Sequence, residues 1–382
     1  MKSKKDIIPG PDGLRTYLDQ IETCAYCPKL CRFSCPVAEA DKRETTTPWG
    51  RQSMLHQVLL GGIKLDSELA GLSYMCLSCE RCAEFCEHGD VLVPQVMRVA
   101  REVFRKQGFE PEPVMELRYT FKKYGNPKGK NLSARVRSLV PDRFLAEGAK
   151  AGLFLGCEVL TGASDMIGPA LELLDAALID YVAVHEGNEQ CCGLPLYEAG
   201  DKDAFYEHAE RVLYELAGYR MVVSLCPACT YTLKVLYPEQ GLDHKIEVLH
   251  ITELLARHGS NLKISAEAGK AVYFDPCYLG RYLGVYDQPR ALAAKALGGE
   301  PMELFRNKRE AYCCGGGSLL NLVSPGTASA ASAEVHRQAD LVEADKLVTA
   351  CPRCRSMLKK ESKGIEVEDV VELLASRLTS DP

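Results

Sequence analysis

Residues 221–229 read MVVSLCPAC, and residues 346–354 read KLVTACPRC. Each is a short apolar run, as expected of a strand covered on both faces, followed by a cysteine, a proline and a second cysteine that opens a polar helical stretch. Working outward, Cys226 and Cys229 are preceded by Cys191-Cys192-Gly193 and by Cys157, while Cys351 and Cys354 are preceded by Cys313-Cys314-Gly315 and by Cys277. Corresponding cysteines lie 120, 122 and 125 residues apart, and the tetrapeptide ELLA recurs at Glu253–Ala256 and Glu372–Ala375. Two copies of one structural unit are the simplest account. Further apolar runs alternate with helical stretches: AGLFLGC, YVAVHEG and IEVLHI in the first copy, KAVYFDPC and PMELF in the second. That alternation predicts α/β repeats with mainly parallel sheets. The cysteines fall just beyond the carboxyl ends of the strands, where open α/β sheets place ligands.

Of the eighteen cysteines in this 382-residue chain, the eight outside the repeats form two runs near the N-terminus. Cys76, Cys79, Cys82 and Cys86 are spaced C-x2-C-x2-C-x3-C, the run in which three closely wound thiolates hold one cubane cluster and the fourth reaches a second. Cys24, Cys27, Cys31 and Cys35 precede Pro36 and carry one extra residue between the second and third cysteines. The crossed reading assigns one 4Fe-4S cluster to Cys24, Cys27, Cys31 and Cys86, and another to Cys76, Cys79, Cys82 and Cys35. Structural zinc is the alternative, although zinc modules usually split their thiolates into two well-separated pairs. After Pro94, the residues Val96, Val99, Ala100, Val103 and Phe104 make a helical apolar stripe, with Arg98, Arg101, Glu102 and Arg105 opposite. TPWGRQSMLHQVLLGG carries a second helical pattern that ends at Gly61-Gly62.

The composition is that of an ordinary soluble protein, with 46% hydrophobic residues, 26% charged residues and a net charge of -6. It argues against a disordered chain and against a nucleic-acid partner. No apolar run approaches the roughly 18 residues that a spanning helix needs, and the N-terminal residues lack the apolar core of a signal peptide. The expectation is a cytoplasmic protein with no membrane span of its own, reaching the inner face of a membrane only through a partner. Residues 117–150 hold nine Lys and Arg against two Asp and Glu around GNPKGK. They read as a basic interdomain linker, or as a stripe that docks an acidic electron-transfer partner.

The N-terminal arrangement resembles the α-helical ferredoxin domain of succinate dehydrogenase and fumarate reductase iron–sulfur subunits. The two sets Cys157...Cys191-Cys192-Gly193...Cys226-Pro-Ala-Cys229 and Cys277...Cys313-Cys314-Gly315...Cys351-Pro-Arg-Cys354 are complete CCG motifs. With them the chain resembles the HdrD catalytic component of heterodisulfide reductase, the fused HdrC–HdrB type, and other CCG-domain iron–sulfur oxidoreductases. That resemblance implies an α-helical ferredoxin domain over 1–116, the linker over 117–150, and tandem CCG domains over 151–265 and 266–382. It further implies two cubane 4Fe-4S clusters, and a noncubane 4Fe-4S cluster in each five-cysteine set. Gly193 and Gly315 would let the backbone approach those clusters. The bland reading of the C-x2-C pairs is a dithiol or a zinc pair.

The implied function is passage of electrons from the cubane clusters to the paired CCG clusters, which reduce a disulfide. The partners would be a flavoprotein or other electron-transfer subunits, and a membrane cytochrome b. The alternative is a relay between a flavoprotein dehydrogenase and quinone or a membrane cytochrome, as in the glycolate oxidase and anaerobic glycerol-3-phosphate dehydrogenase iron–sulfur subunits. Arg281 in DPCYLGR, with Tyr282 and Arg290 nearby, is a candidate clamp for an anionic substrate. His185 is a candidate proton donor, set against an ordinary packing role. Gly315-Gly316-Gly317 matches neither a dinucleotide fingerprint nor a P-loop.

Overall fold

The computed structural model describes residues 12–29, 31–89, 91–145 and 148–379. It divides into two compact units, and neither is continuous in sequence. One comprises Met1–Tyr119, Pro195–Ala204 and Tyr312–Ser332; the other comprises Thr120–Leu194, Phe205–Ala311 and Ala333–Pro382.

The second unit contains the strands of both copies of the repeat. Strands β1 (Ala151–Phe154), β2 (Val182–Val184), β3 (Met221–Ser224) and β4 (Glu247–His250) form a parallel sheet in the order β2-β1-β3-β4. Strands β5 (Ala271–Phe274), β6 (Met302–Glu303), β7 (Lys346–Thr349) and β8 (Glu366–Asp369) form another in the equivalent order β6-β5-β7-β8, again all parallel. Every residue of β1 and β5 is buried, as sheets covered on both faces require. Seven of the eight strands coincide with the apolar runs read from sequence. The eighth, β8, shows no such run because Glu366 and Glu368 flank Val367; both glutamates pair with Lys346, at 3.2 and 2.8 Å. Comparing IEVLHITELLA (246–256) with IEVEDVVELLA (365–375) would have found it.

One apolar core runs through both copies, joining Leu153 and Val223 to Tyr273 and Val348. Helices Ile167–Ala176, Ile251–Arg257, Asp287–Leu297 and Val370–Ala375 supply much of the rest. The stretch expected to be a linker is also built into this core. It carries a helix over Leu132–Leu139, and Leu132, Val136, Val140 and Phe144 are buried. Its lysines and arginines dominate the composition and hide an apolar stripe that recurs every four residues.

At the start of helix Ile251–Arg257, His250 is fully buried: Nδ1 meets Thr252 Oγ1 at 2.8 Å and Nε2 meets Leu225 O at 3.1 Å. Burial lowers its pKa to about 4, against about 6.5 in an unfolded chain. The folded state therefore binds fewer protons, so stability is lost as pH falls from 6.5 toward 4, by up to about 3 kcal/mol. Between pH 7.5 and 5 the wild-type unfolding midpoint should drop more steeply than that of His250→Asn. Parallel slopes would show that this histidine is not the titrating group.

The first unit is helical, with helices Leu18–Tyr26, Pro48–Leu59, Ser67–Tyr74 and Val93–Lys106. The helix over Pro48–Leu59 starts where Thr47 caps it, its Oγ1 accepting from Gly50 N at 2.8 Å. The predicted stripe on Val93–Lys106 faces the core through Val96, Ala100 and Phe104. Arg98 and Arg101, expected on the solvent side, are instead 5% and 0% exposed. They converge on Glu198, which belongs to the same unit: Arg98 Nε donates to Oε1 at 2.8 Å and Arg101 Nη1 to Oε2 at 2.6 Å. Ser78 and Ser318 add hydroxyl donors to Oε2 at 2.8 and 2.7 Å. Burial pushes the Glu198 pKa up, but the two arginines outweigh it and hold the carboxyl at about 2. Among the described residues no helix is long and apolar enough to cross a membrane.

Candidate metal centres

All eighteen cysteines are free thiols. In the first unit, Cys24 lies on helix Leu18–Tyr26, Cys27 terminates it, and Cys35 precedes helix Pro36–Asp41. Three residues between these cysteines or those of the second run, Lys29, Ser78 and Glu80, have left-handed backbone at φ 68, 50 and 58°. Non-glycine residues adopt that conformation only where the surroundings compel it. Here it winds each run tightly enough to turn successive thiols inward.

Burial pushes the Cys24 and Cys31 thiols up to about 12. The next influence on Cys24 comes from Cys31, Cys86 and Cys27, and on Cys31 from Cys86, Cys35 and Cys27. Cys82 is pushed well above its ordinary value by burial and then by Cys31, Cys79, Cys76 and Cys35. Cys86 thus lies close to Cys24 and Cys31, while Cys35 lies near both Cys31 and Cys82. A cavity is lined by Cys35, Cys76, Cys79 and Cys82 together with Arg51. Thiols this buried and crowded stay protonated at neutral pH unless a metal displaces their protons. That arrangement suits a multi-iron cluster, whose thiolates each bind a different iron, better than a zinc site.

In the second unit, the cysteines of the first copy form a chain of neighbours. Cys191 Sγ lies 3.7 Å from Cys157 Sγ. Hydrogen bonds from Cys191 and Cys229 draw the Cys192 thiol well below its ordinary value, whereas Cys191 and Cys229 are pushed up, by Cys157 and Cys192 respectively. Cys226 adjoins Cys229 in turn. Gly193 has φ +77°, and a Cβ there would stand 3.0 Å from the His208 ring, so only glycine fits behind the pair. Two residues that the sequence reading missed fix the pair's backbone. His208 Nε2 meets Cys191 O at 2.6 Å and the Tyr237 hydroxyl donates to Cys192 O at 3.0 Å. Neither stands at a motif spacing from the cysteines, so only the fold reveals them.

Of the second copy, Cys277, Cys351 and Cys354 belong to the second unit, and Cys313 and Cys314 to the first. All five are buried. Cys351 precedes helix Pro352–Glu361, as Cys226 precedes Pro227–Tyr231. Gly315 has φ +80°, and a Cβ would meet Ala328 O at 2.1 Å.

The structure gives Arg290 a different part from the expected anion clamp. Its Nε donates to Glu303, Nη1 to Asp275 and to Tyr286 O, and Nη2 to Asp275 and Glu303, so the whole fork is spent inside the protein. Arg281 directs Nη1 to the carbonyls of Arg309 and Ala311, at 3.0 and 2.8 Å. His185 is boxed in by Phe154, Tyr219 and Glu215, and burial lowers its pKa. Tyr231, Tyr278 and Tyr282 form an aromatic group within the second unit, two of them stacked with centroids 4.6 Å apart. Tyr231 stands two residues beyond Cys229, and Tyr278 directly follows Cys277.

Known families match the cysteine-bearing regions of the chain. Residues 151–234 and 271–359 match the cysteine-rich domain family, CCG, and residues 20–89 match the 4Fe-4S dicluster domain. A component of the CoM/CoB fumarate reductase of Methanothermobacter marburgensis is 27% identical over 370 residues, which is 95% of this chain and 73% of that protein. The HdrD component of the dihydromethanophenazine:CoB–CoM heterodisulfide reductase of Methanosarcina mazei is 28% identical over 419 residues, 99% of each. The EtfAB:quinone oxidoreductase of Syntrophomonas wolfei is 28% identical over 330 residues, covering 78% of this chain and 45% of that protein. The chain is an iron–sulfur electron-transfer oxidoreductase component with a dicluster region and two CCG repeats. Within that class it is an HdrD-like CCG iron–sulfur protein, similar along nearly its whole length to the heterodisulfide reductase components.

Proposed function

We propose that the chain is a substrate-reducing component of a larger complex and splits a disulfide. Two cubane 4Fe-4S clusters would be held by Cys24, Cys27, Cys31 and Cys86, and by Cys76, Cys79, Cys82 and Cys35. Two noncubane 4Fe-4S clusters would be held by Cys157, Cys191, Cys192, Cys226 and Cys229, and by Cys277, Cys313, Cys314, Cys351 and Cys354. When bound, such clusters supply one-electron steps, and two electrons with two protons convert one S–S bond into two thiols. The observation that carries this reading is the completeness of both five-thiol sets, the first folded into one chain of neighbours.

The protein's own residues hold that chemistry in place. His208 and Tyr237 orient Cys191 and Cys192, and Gly193 and Gly315 keep the space behind each pair clear. Three thiols of the first set, Cys27, Cys31 and Cys86, are half-buried, against one of the second, Cys82. Electrons from a flavoprotein or a membrane cytochrome therefore have their shortest way in at the first set.

The chain purified without oxygen should contain about sixteen irons if every set is filled, and it should oxidise a reduced viologen dye when given an organic disulfide. Stoichiometric zinc with little iron would overturn the reading. The Syntrophomonas relative, a quinone oxidoreductase by name, favours a second reading, an electron relay. Reoxidation by quinone with no turnover of any disulfide would select it.

A further inference from the structure

The cavity lined by Cys35, Cys76, Cys79 and Cys82 holds a cation that neither the fold nor the cysteine spacing demands. Arg51, on helix Pro48–Leu59, lines it and is 3% exposed. Its Nε donates to Leu72 O at 3.1 Å, and Nη1 stands 3.9 Å from Cys35 Sγ. Nη2 is buried without a hydrogen-bond partner. Among the described residues no carboxylate pairs with this guanidinium, in contrast with Arg98 and Arg101, which share Glu198. Glu80, the other charged residue of the lining, is part-exposed. A buried guanidinium with donors unspent is costly unless something anionic meets it, and these donors lie at a cavity ringed by four thiols.

We propose that Arg51 is a positioning residue for the cluster of Cys35, Cys76, Cys79 and Cys82, donating through Nη1 and Nη2 to its sulfurs and raising its reduction potential above that of the cluster of Cys24, Cys27, Cys31 and Cys86. The inference rests on the ligation proposed above. Reduction adds one negative charge to a cluster that is already anionic, and a fixed cation beside it stabilises the reduced form more than the oxidised one. Hydrogen bonds to the sulfurs act in the same direction. The result is a downhill step from the more exposed first set to the more buried second set, which favours electron flow inward.

The test is a potentiometric titration of the full chain, purified without oxygen and followed by electron paramagnetic resonance. In the wild type the signal that Cys35→Ala removes should titrate at the higher of the two cubane midpoints. In Arg51→Met that midpoint should fall while the other stays in place, and Arg51→Lys, which keeps the charge but not the fork, should lie between. With iron content intact, a wild-type midpoint in Arg51→Met overturns the proposal. Should Arg51→Met lose the cluster, Arg51→Lys decides: a midpoint below that of the wild type supports the proposal and an unchanged one overturns it. Absence of two cubane signals in the wild type would instead defeat the underlying ligation.

Discussion

Cys192→Ala and Cys314→Ala should each reduce disulfide turnover to background, while the N-terminal clusters still accept electrons from an artificial donor. Each residue is the second member of an adjacent cysteine pair, buried in its own copy of the repeat. In the first copy Cys192 is the thiol that its neighbours Cys191 and Cys229 draw below its ordinary value, so its removal takes away the centre of the chain of thiols. The expected loss exceeds the roughly 10- to 100-fold that removing an outer-shell partner costs a metal site. Both copies are required on this reading, because one electron alone leaves a disulfide at a high-energy stage. Steady-state turnover, measured beside spectroscopic reduction of the cubanes, checks it. Near-wild-type turnover in Cys314→Ala would make the second copy structural.

Cys35→Ala should eliminate the cluster of Cys76, Cys79 and Cys82, although Cys35 belongs to the other run in sequence. The cavity lined by Cys35 and those three thiols motivates this, as does the position of Cys86 among the thiols of the first run. Iron content should fall by about four atoms per chain, and one of the two cubane resonance signals should vanish. Loss confined to the signal of Cys24, Cys27 and Cys31 would show that the ligands are not crossed.

Much of this molecule is legible without coordinates. Seven of eight strands can be read because a strand buried on both faces must be an unbroken apolar run, and MVVSL or KAVYF admits little else. The cysteine sets can be read because thiolates that share a cluster have to be wound closely, which fixes their spacing. Sequence by itself therefore determined the repeat, the class of fold and the residues at which metal chemistry is sought.

Tertiary structure decided what local pattern does not encode. Arg98 and Arg101 occupy the polar face of an amphipathic helix, and their burial depends on Glu198, about a hundred residues away in sequence. Arg290 reads from sequence as a clamp for substrate, yet Asp275 and Glu303 take its donors. Arg51 stands in no motif, and its burial beside four thiols emerges only when the helix over Pro48–Leu59 is packed. The physical reason is common to all three. Apolar periodicity reports which face of an element is covered, whereas the fate of a charged side chain depends on which distant group meets it.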